Sequence, residues 1–198
     1  MSGGNILKLT ECKRSESSLF DIYTQVLGLP LKESLQLASQ FQYAGPCRFY
    51  LVISHSKRVI INRRENEKEA KGKSTLYIAV PNTKAKRHYQ QSMHIYVGMQ
   101  LFGCTNRGER LGVRNGLLYT VEAIQGQSIV INSREFDIEQ VKSFFRLSYA
   151  RTYASCQGTE FNDEAICLCD TRHPRFTNTH LYVGLSRCKR ADLIRVEA

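Results

Sequence analysis

Apolar and polar positions predict helices over the first part of the chain. Residues 5–41 have helical spacing, and Ser15 or Ser17 is a candidate N-cap for a helix that ends at Gly28–Pro30. A second helical stretch covers about Leu31–Phe41. The break at Gly45-Pro46 then ends this helical part of the chain.

The segment after this break has the pattern of an α/β unit. Phe49–Ile53 is a continuous apolar, β-rich run that predicts a buried strand, and a charged helix is expected from Val59 to Lys71. A strand, a polar tip and a helix form the repeating unit of an open α/β sheet. Ligands bind to such sheets at the C-terminal ends of the strands.

The pattern changes between residues 75 and 145, where short strands alternate with turn signals. Thr75–Val80 and Tyr96–Phe102 predict strands, and Leu117–Ile124 with Ser128–Ile131 predicts a hairpin. The segment therefore indicates a small all-β insert, a barrel of about five strands.

The α/β pattern resumes from Arg146 to the end. The expected order is a short strand, a buried strand, a strand that leads into a helix beginning near Ser186, and a last strand; the strands are Leu147–Ala150, Ala165–Cys169, Leu181–Val183 and Leu193–Val196. The fold class is α/β, with 5–74 and 146–198 forming one domain that is interrupted by 75–145.

Composition adds a basic charge to this outline. The 198 residues suffice for one full hydrophobic core, and 28 Lys and Arg against 18 Asp and Glu give a net charge of +10. This surplus favours polyanionic partners, nucleic acid first, although a merely basic surface stays open. No apolar run spans a bilayer, no secretory signal begins the chain, and Met1–Gly4 is interpreted as a start or a cloning remnant.

Seven cysteines occur without a repeated spacing. Alternation places Cys167 and Cys169 on one face of a strand, where each would behave as a small apolar residue. No paired ligand clusters are present, so we predict no metal site. Reduced cysteines favour an intracellular location, in the cytoplasm or nucleus.

One segment imitates a phosphate-binding loop. Gly72–Thr75 has the right ending, but position 67 is Glu67 where the loop requires glycine. The charged residues before it and the strand-like residues after it are also the reverse of what such a loop needs. We therefore expect no P-loop here, and expect Asp170 to cap or turn the chain.

Three segments, in order, resemble motifs of superfamily 1 helicases. Leu9–Ser15 resembles an L-x-x-x-x-R-S element, Thr152–Phe161 resembles T-x-H-K-x-Q-G-x-E-F, and Leu181–Arg187 resembles L-Y-V-A-L-S-R. The resemblance covers nearly the whole chain. It is nearest to the C-terminal domain of the RecD-like and UvrD-like helicases, which implies a RecA-like sheet and an SH3-like barrel for the insert.

The match also has departures. Ala154 and Ser155 stand where the family has His and Lys, and Gly184 stands where Ala is commoner. Because the family's His and Lys help to couple DNA to ATP, coupling here is expected to use other groups. These differences suggest a remote member, from a large DNA virus.

The resemblance implies a shared nucleotide site. An N-terminal domain outside this chain would supply the P-loop and hold Mg²⁺, while this domain supplies cations to the γ-phosphate. Arg187 corresponds to the arginine finger and Arg14 to a second phosphate-reaching cation. Gln157, Gly158 and Glu160 correspond to residues that face the nucleotide.

A surface residue at a helix start is the alternative interpretation of Arg187. With a helix beginning near Ser186, a cation would sit unfavourably at the positive end of the helix dipole, which favours a functional reason for the arginine.

The nucleic-acid candidates lie at predicted strand ends, where hydroxyls and cations hold phosphates. They are Ser54, His55, Lys57, Thr152 and Ser155. Two further basic groups are either DNA contacts or solvated loops: Lys84, Lys86, Arg87 and His88, followed by Tyr89, and Arg107, Arg110 and Arg114.

The resulting expectation is the C-terminal motor domain of an ATP-dependent DNA helicase that translocates 5′ to 3′ on single-stranded DNA and unwinds duplex, in DNA replication with replication proteins as partners. The isolated chain should have negligible ATPase activity. An RNA helicase of the same superfamily and a non-catalytic nucleic-acid-binding module remain the alternatives.

Overall fold

The computed structural model describes residues 15–80, 91–106, 109–156, 158–161 and 163–197. Its helices are α1 Ser17–Val26, α2 Leu31–Ala38, α3 His55–Ala70, α4 Ile138–Phe144 and α5 Asn178–Leu185. Its strands are β1 Phe49–Val52, β2 Leu76–Ile78, β3 Met93–Ile95, β4 Gln100–Gly103, β5 Leu118–Gln125, β6 Ser128–Ile131, β7 Arg134–Asp137, β8 Phe145–Leu147, β9 Ala150–Thr152, β10 Ile166–Leu168 and β11 Ile194–Val196.

These elements divide into two compact units. The first is drawn from the ranges 1–48 and 157–198, and the second from 49–156. The predicted division into a RecA-like domain of residues 5–74 and 146–198 and a β-barrel insert of residues 75–145 stays a prediction.

The first unit combines three helices with a parallel strand pair. β10 and β11 run parallel, with Cys167 opposite Arg195. Leu19 and Leu181 are fully buried, one on α1 and one on α5, and the rings of Tyr23 and Tyr182 meet edge to face at 5.6 Å. Apolar residues at helical spacing therefore hold α1 against α5.

The second unit contains a parallel pair and an antiparallel sheet. β1 and β9 run parallel, with Val52 opposite Thr152. Five strands form the antiparallel sheet in the order β7-β6-β5-β4-β8, and β2 pairs with β3. Their buried faces form one core that includes Leu101, Val121, Phe136 and Phe145. The predicted α/β class is confirmed, while the SH3-like character of the insert stays a prediction.

Two buried asparagines attach α3 to neighbouring strands. The side-chain oxygen of Asn62 accepts from the Ala150 N–H at 2.7 Å, and its amide donates to the Ala150 carbonyl at 3.4 Å. Asn66 makes the same pair of bonds to His94, at 2.7 and 2.9 Å. The two asparagines lie four residues apart, on one helix face, so a helix of low hydropathy still has a buried side.

Several predicted elements are confirmed and others are wrong. The strand at residues 49–53 and the hairpin of β5 and β6 are present. The strand predicted over Tyr96–Phe102 is instead a turn, with Gly98 at φ +87°, followed by β4, which begins at Gln100. The strand predicted over Leu147–Ala150 is split between β8 and β9.

The helix predicted to begin near Ser186 is wrong. Thr177 and His180 form a capping box that starts α5 at Asn178, so Leu181–Val183 is helical and Ser186 ends the helix as its C-cap. Neither Ser15 nor Ser17 is the N-cap of α1; that position is Glu16, and the Ser15 hydroxyl donates to the Cys188 carbonyl instead.

The elements on either side of Gly72–Thr75 exclude a phosphate-binding loop there. Gly72–Thr75 lies after α3 and before β2, so a helix leads in and a strand leads out. Asp170 has φ +66° and its carbonyl accepts from the His173 N–H, which confirms its place in a turn. Among the described residues, no helix has the length and apolar character to cross a bilayer.

Candidate nucleotide and nucleic-acid site

The nucleic-acid candidates of the second unit gather at one edge of its parallel strand pair. Because Val52 lies opposite Thr152, the C-terminal ends of β1 and β9 meet. Ser54 lies just after β1, and Ser155 lies in the short 3-10 turn that follows β9. The sequence places polar side chains at the edge where α/β sheets bind ligands.

The tip after β1 is the N-terminus of α3. The Ser54 hydroxyl accepts from the Lys57 N–H at 3.1 Å and so caps the helix. His55 is exposed on the first turn, and Lys57 is half-buried. A serine N-cap explains Ser54 without a ligand, while helix N-termini also receive phosphates.

The tip after β9 is a 3-10 turn over Tyr153–Cys156. The Ser155 N–H donates to the Thr152 hydroxyl at 3.3 Å, and the Ser155 hydroxyl donates to the Thr152 carbonyl at 2.9 Å. These bonds fix the turn, with Thr152 buried and Ser155 half-buried. Ala154 is exposed on the same turn.

Arg151 supports this turn, although its sequence pattern did not mark it as a site residue. The residue is 2% exposed, and its guanidinium donates to the Ser155 carbonyl at 2.6 Å. The same guanidinium lies 4.1 Å from the centre of the Phe102 ring. Burial and the nearby Arg146 lower the pKa of Arg151 to about 10. A lone arginine in a β-rich run gives no signal that separates a buried role from an exposed one.

The nucleotide candidates of the first unit also come together. The Phe161 N–H donates to the Arg187 carbonyl at 2.8 Å, and Phe161 bridges to Cys188 in parallel fashion. This contact joins the segment that carries Gly158 and Glu160 to the segment that carries Arg187. Two motifs separated by a buried strand in the sequence are therefore neighbours in space.

Gly158 and Glu160 lie on the outside of this unit. Gly158 is exposed, and its φ of +80° favours glycine, while a Cβ added there would meet no atom of the described residues within 4 Å. Glu160 is exposed. The open space above Gly158 allows a ligand to approach the backbone.

Arg187 lies just beyond the C-terminus of α5 and not at a helix start. The argument that the helix dipole disfavours a cation there is therefore wrong, because the C-terminal end of a helix attracts cations. The side chain is half-buried and donates to the Ser186 hydroxyl at 3.4 Å, while its Nε is buried without a hydrogen-bond partner. In the part of the chain that the structure describes, Arg187 forms no ion pair.

The remaining candidates lie partly outside the described residues. This holds for Arg14, Gln157, Arg107 and the basic group at 84–89. Arg110 and Arg114 are exposed in the insert. The six described cysteines are buried thiols, which includes Cys167 and Cys169 on one strand face as predicted.

Sequence comparison finds no relatives, whereas structure comparison does. No protein-family model matches the chain, and no curated protein matches it. The structure of Pif1 helicase from Bacteroides in complex with ADP-AlF3 and ssDNA matches with a TM-score of 0.67 and 20% identity, covering 97% of this chain and 52% of that one. Bacteroides Pif1 bound to ssDNA matches with a TM-score of 0.67 and 17% identity, covering 97% and 51%.

A fungal structure gives the same result. Pif1 helicase from Candida albicans matches with a TM-score of 0.61 and 12% identity, covering 91% of this chain and 53% of that one. The chain therefore spans about half the length of the solved chains it matches. At these identities the likeness concerns the fold, and the predicted RecA-like helicase-domain fold is confirmed.

Proposed function

We propose that this chain is the C-terminal motor domain of an ATP-dependent DNA helicase. The observation that carries the proposal is the contact between Phe161 and Arg187, because it unites the two most specific motif segments on a fold shared with Pif1 helicases. A chance resemblance of two short segments would have no reason to bring them together in space.

The nucleotide role rests on the chemistry of Arg187. A guanidinium stays charged and offers a planar fork of donors that suits phosphate oxygens. Here the half-buried guanidinium makes only one long hydrogen bond among the described residues, 3.4 Å to the Ser186 hydroxyl. Such a side chain fits an anion supplied from outside the described chain, and the open backbone at Gly158 fits the same ligand.

In this proposal the division of labour follows from phosphoryl transfer. ATP and Mg²⁺, held by a P-loop domain outside this chain, supply the phosphoryl group and its charge neutralisation. Arg187 donates to the γ-phosphate oxygens and stabilises the charge that spreads over them in the transition state. The proposed second cation, Arg14, and Gln157 lie outside the described residues.

The nucleic-acid role rests on the edge formed by the ends of β1 and β9. There the N-terminus of α3 and the exposed His55 present donors suited to a phosphodiester backbone, beside the Thr152 and Ser155 turn, whose Ser155 N–H and hydroxyl already donate within the turn. The net charge of +10 supports the same ligand. We propose single-stranded DNA, with 5′ to 3′ translocation taken from the resemblance to RecD-like helicases.

ATP turnover by the full-length protein tests the proposal. We expect Mg²⁺-dependent ATPase activity that single-stranded DNA stimulates more than RNA of the same sequence, and expect negligible turnover by the 198-residue chain alone. Stronger stimulation by RNA would favour an RNA helicase. Nucleic-acid binding without any turnover would favour a binding module and contradict the motor.

Polarity needs a separate measurement. A partial duplex with a 5′ single-stranded tail should be unwound, and one with a 3′ tail should not. The opposite preference would refute the proposed direction and leave the motor assignment intact.

A further inference from the structure

A cluster of sulfur and oxygen donors lies in the first unit, apart from the residues assigned above. Cys167 lies in β10 and Cys169 directly follows that strand, and their sulfurs are 3.6 Å apart. Both thiols are buried, at 1% and 0% exposure. Glu197 follows β11, and its N–H donates to the Leu168 carbonyl at 2.9 Å, which places it beside the two cysteines.

The geometry points to a site for a soft divalent metal ion of the zinc class, with Cys167, Cys169 and Glu197 as its ligands. One ligand atom from each residue lies within 4.8 Å of the other two. Zinc–sulfur bonds of about 2.3 Å at the tetrahedral angle place two sulfurs on one ion about 3.8 Å apart. The sulfur separation in β10 is close to this value without any rearrangement of the strand.

Sequence spacing could not indicate this site. Zinc sites are recognised by paired clusters of ligands, and here the pair Cys167 and Cys169 has no second pair along the chain. The third ligand comes from another strand, because the parallel pairing of β10 with β11 brings the end of the chain alongside the cysteines.

The surroundings balance the charge of a bound ion. Arg195 lies opposite Cys167 in the strand register and contacts its sulfur, as does Cys47. Two thiolates, one carboxylate, one guanidinium and a divalent ion together carry no net charge, which matters because buried net charge is costly. Hydrogen bonds from Arg195 and Cys47 to a coordinated sulfur would act as outer-shell support.

Cobalt binding tests the site directly. The reduced, metal-free 198-residue chain, titrated with Co²⁺, should develop a thiolate-to-cobalt charge-transfer band that saturates at one ion per chain. Zinc should then displace the cobalt and bleach the band, and zinc should raise the melting temperature. No charge-transfer band at saturating cobalt would overturn the proposal.

Variants locate the ligands. Cys169→Ser should abolish the band, whereas Cys104→Ser should retain it, because Cys104 is also a buried thiol but lies in the second unit. If Cys169→Ser fails to fold, Glu197→Gln replaces an exposed side chain without disturbing the core and should weaken zinc binding at least about tenfold. Unchanged zinc affinity in Glu197→Gln, measured by competition with a chelator, would contradict this ligand set.

Discussion

Arg151 and Arg187 occupy comparable places in the two units, yet their guanidinium groups have opposite surroundings. Each belongs to a segment that leaves the core beside a polar turn. Arg151 is buried, stacks on Phe102 and donates to Ser155 at 2.6 Å. Arg187 is half-buried and makes only a bond of 3.4 Å to Ser186, and the Nε of each of the two arginines is buried without a hydrogen-bond partner among the described residues.

This difference separates a structural arginine from one available for a ligand. A guanidinium that is already hydrogen-bonded and stacked contributes to the stability of the fold and has little left to offer. A half-buried guanidinium that makes only one long hydrogen bond contributes little to stability and retains its capacity to bind phosphate. Truncation of the two residues should therefore have opposite effects on stability and on activity.

The largest expected effect is on ATP turnover in Arg187→Ala. In the full-length protein this change should lower kcat by about 10³-fold or more, because an arginine that reaches the γ-phosphate contributes on that scale. Nucleotide binding should persist, and the melting temperature should stay close to that of the unchanged protein. DNA-stimulated ATPase, nucleotide affinity and a thermal melt measure the three quantities.

Arg190→Ala is the matched control for that experiment. Arg190 is exposed, three residues further along, and pairs with Asp192. Loss of such a surface pair should change neither turnover nor stability measurably. Near-normal turnover in Arg187→Ala would remove Arg187 from the proposed role, and so would an equal loss in Arg190→Ala.

Arg151→Ala should show the reverse behaviour. Removing a charged hydrogen bond to Ser155 and a cation–π contact with Phe102 should lower the free energy of unfolding by about 2–4 kcal/mol. The shift in the urea midpoint of the isolated chain measures this loss. Arg172→Ala, at an exposed position, should lower it by less than about 0.5 kcal/mol. An Arg151→Ala protein as stable as the control would end the contrast between the two arginines.

The sequence allowed the outline of this contrast to be predicted but not its details. Apolar runs located β1 and β10, since burial of a strand leaves a clear pattern. The position of Arg187 relative to α5 was predicted wrongly, because the cap at Thr177 was not recognised and the apolar run Leu181–Val183 suits either a strand or a helix.

The burial of several polar residues was also not predicted. Asn62, Asn66 and Arg151 look solvated in a charged sequence, and only their partners in space reveal that they are buried. Each bonds to a backbone group of a distant or neighbouring segment, and such pairings have no periodicity along the chain. Sequence patterns report which residues avoid water more reliably than which polar residues find partners within the fold.

Gly184→Ala examines whether packing of α5 contributes to the placement of Arg187. A Cβ at Gly184 would lie 2.6 Å from Leu168 Cδ2, and Leu168 is fully buried. Overpacking costs about 1–3 kcal/mol, and the better helix propensity of alanine returns up to about 1 kcal/mol, so a net loss of about 1 kcal/mol is expected. Denaturant unfolding measures it.

The double variant Gly184→Ala/Leu168→Val separates packing from other causes. Valine lacks the Cδ atoms that the new Cβ meets, so the double variant should be more stable than the sum of the two single changes predicts. Simple additivity would show that Leu168 is not the reason for glycine at this position.

The smallest expected effect concerns the start of α5, which determines where Arg187 emerges. His180 accepts through Nδ1 from the Thr177 N–H at 3.1 Å, which requires the neutral ring. Burial and the neighbouring His173 lower the pKa of His180 below its ordinary value of 6.5. The unfolded chain therefore binds the proton more readily, so the free energy of unfolding should fall as the pH drops from 6.5 through the lower folded-state pKa. The loss should stay below about 1 kcal/mol, the free energy that a helix cap typically contributes.

His180→Gln keeps an acceptor at the same position of the capping box and cannot titrate, so its stability should vary less over this pH range. Urea unfolding of both proteins at several pH values measures the difference, and identical pH profiles would show that protonation of His180 does not act on the helix start.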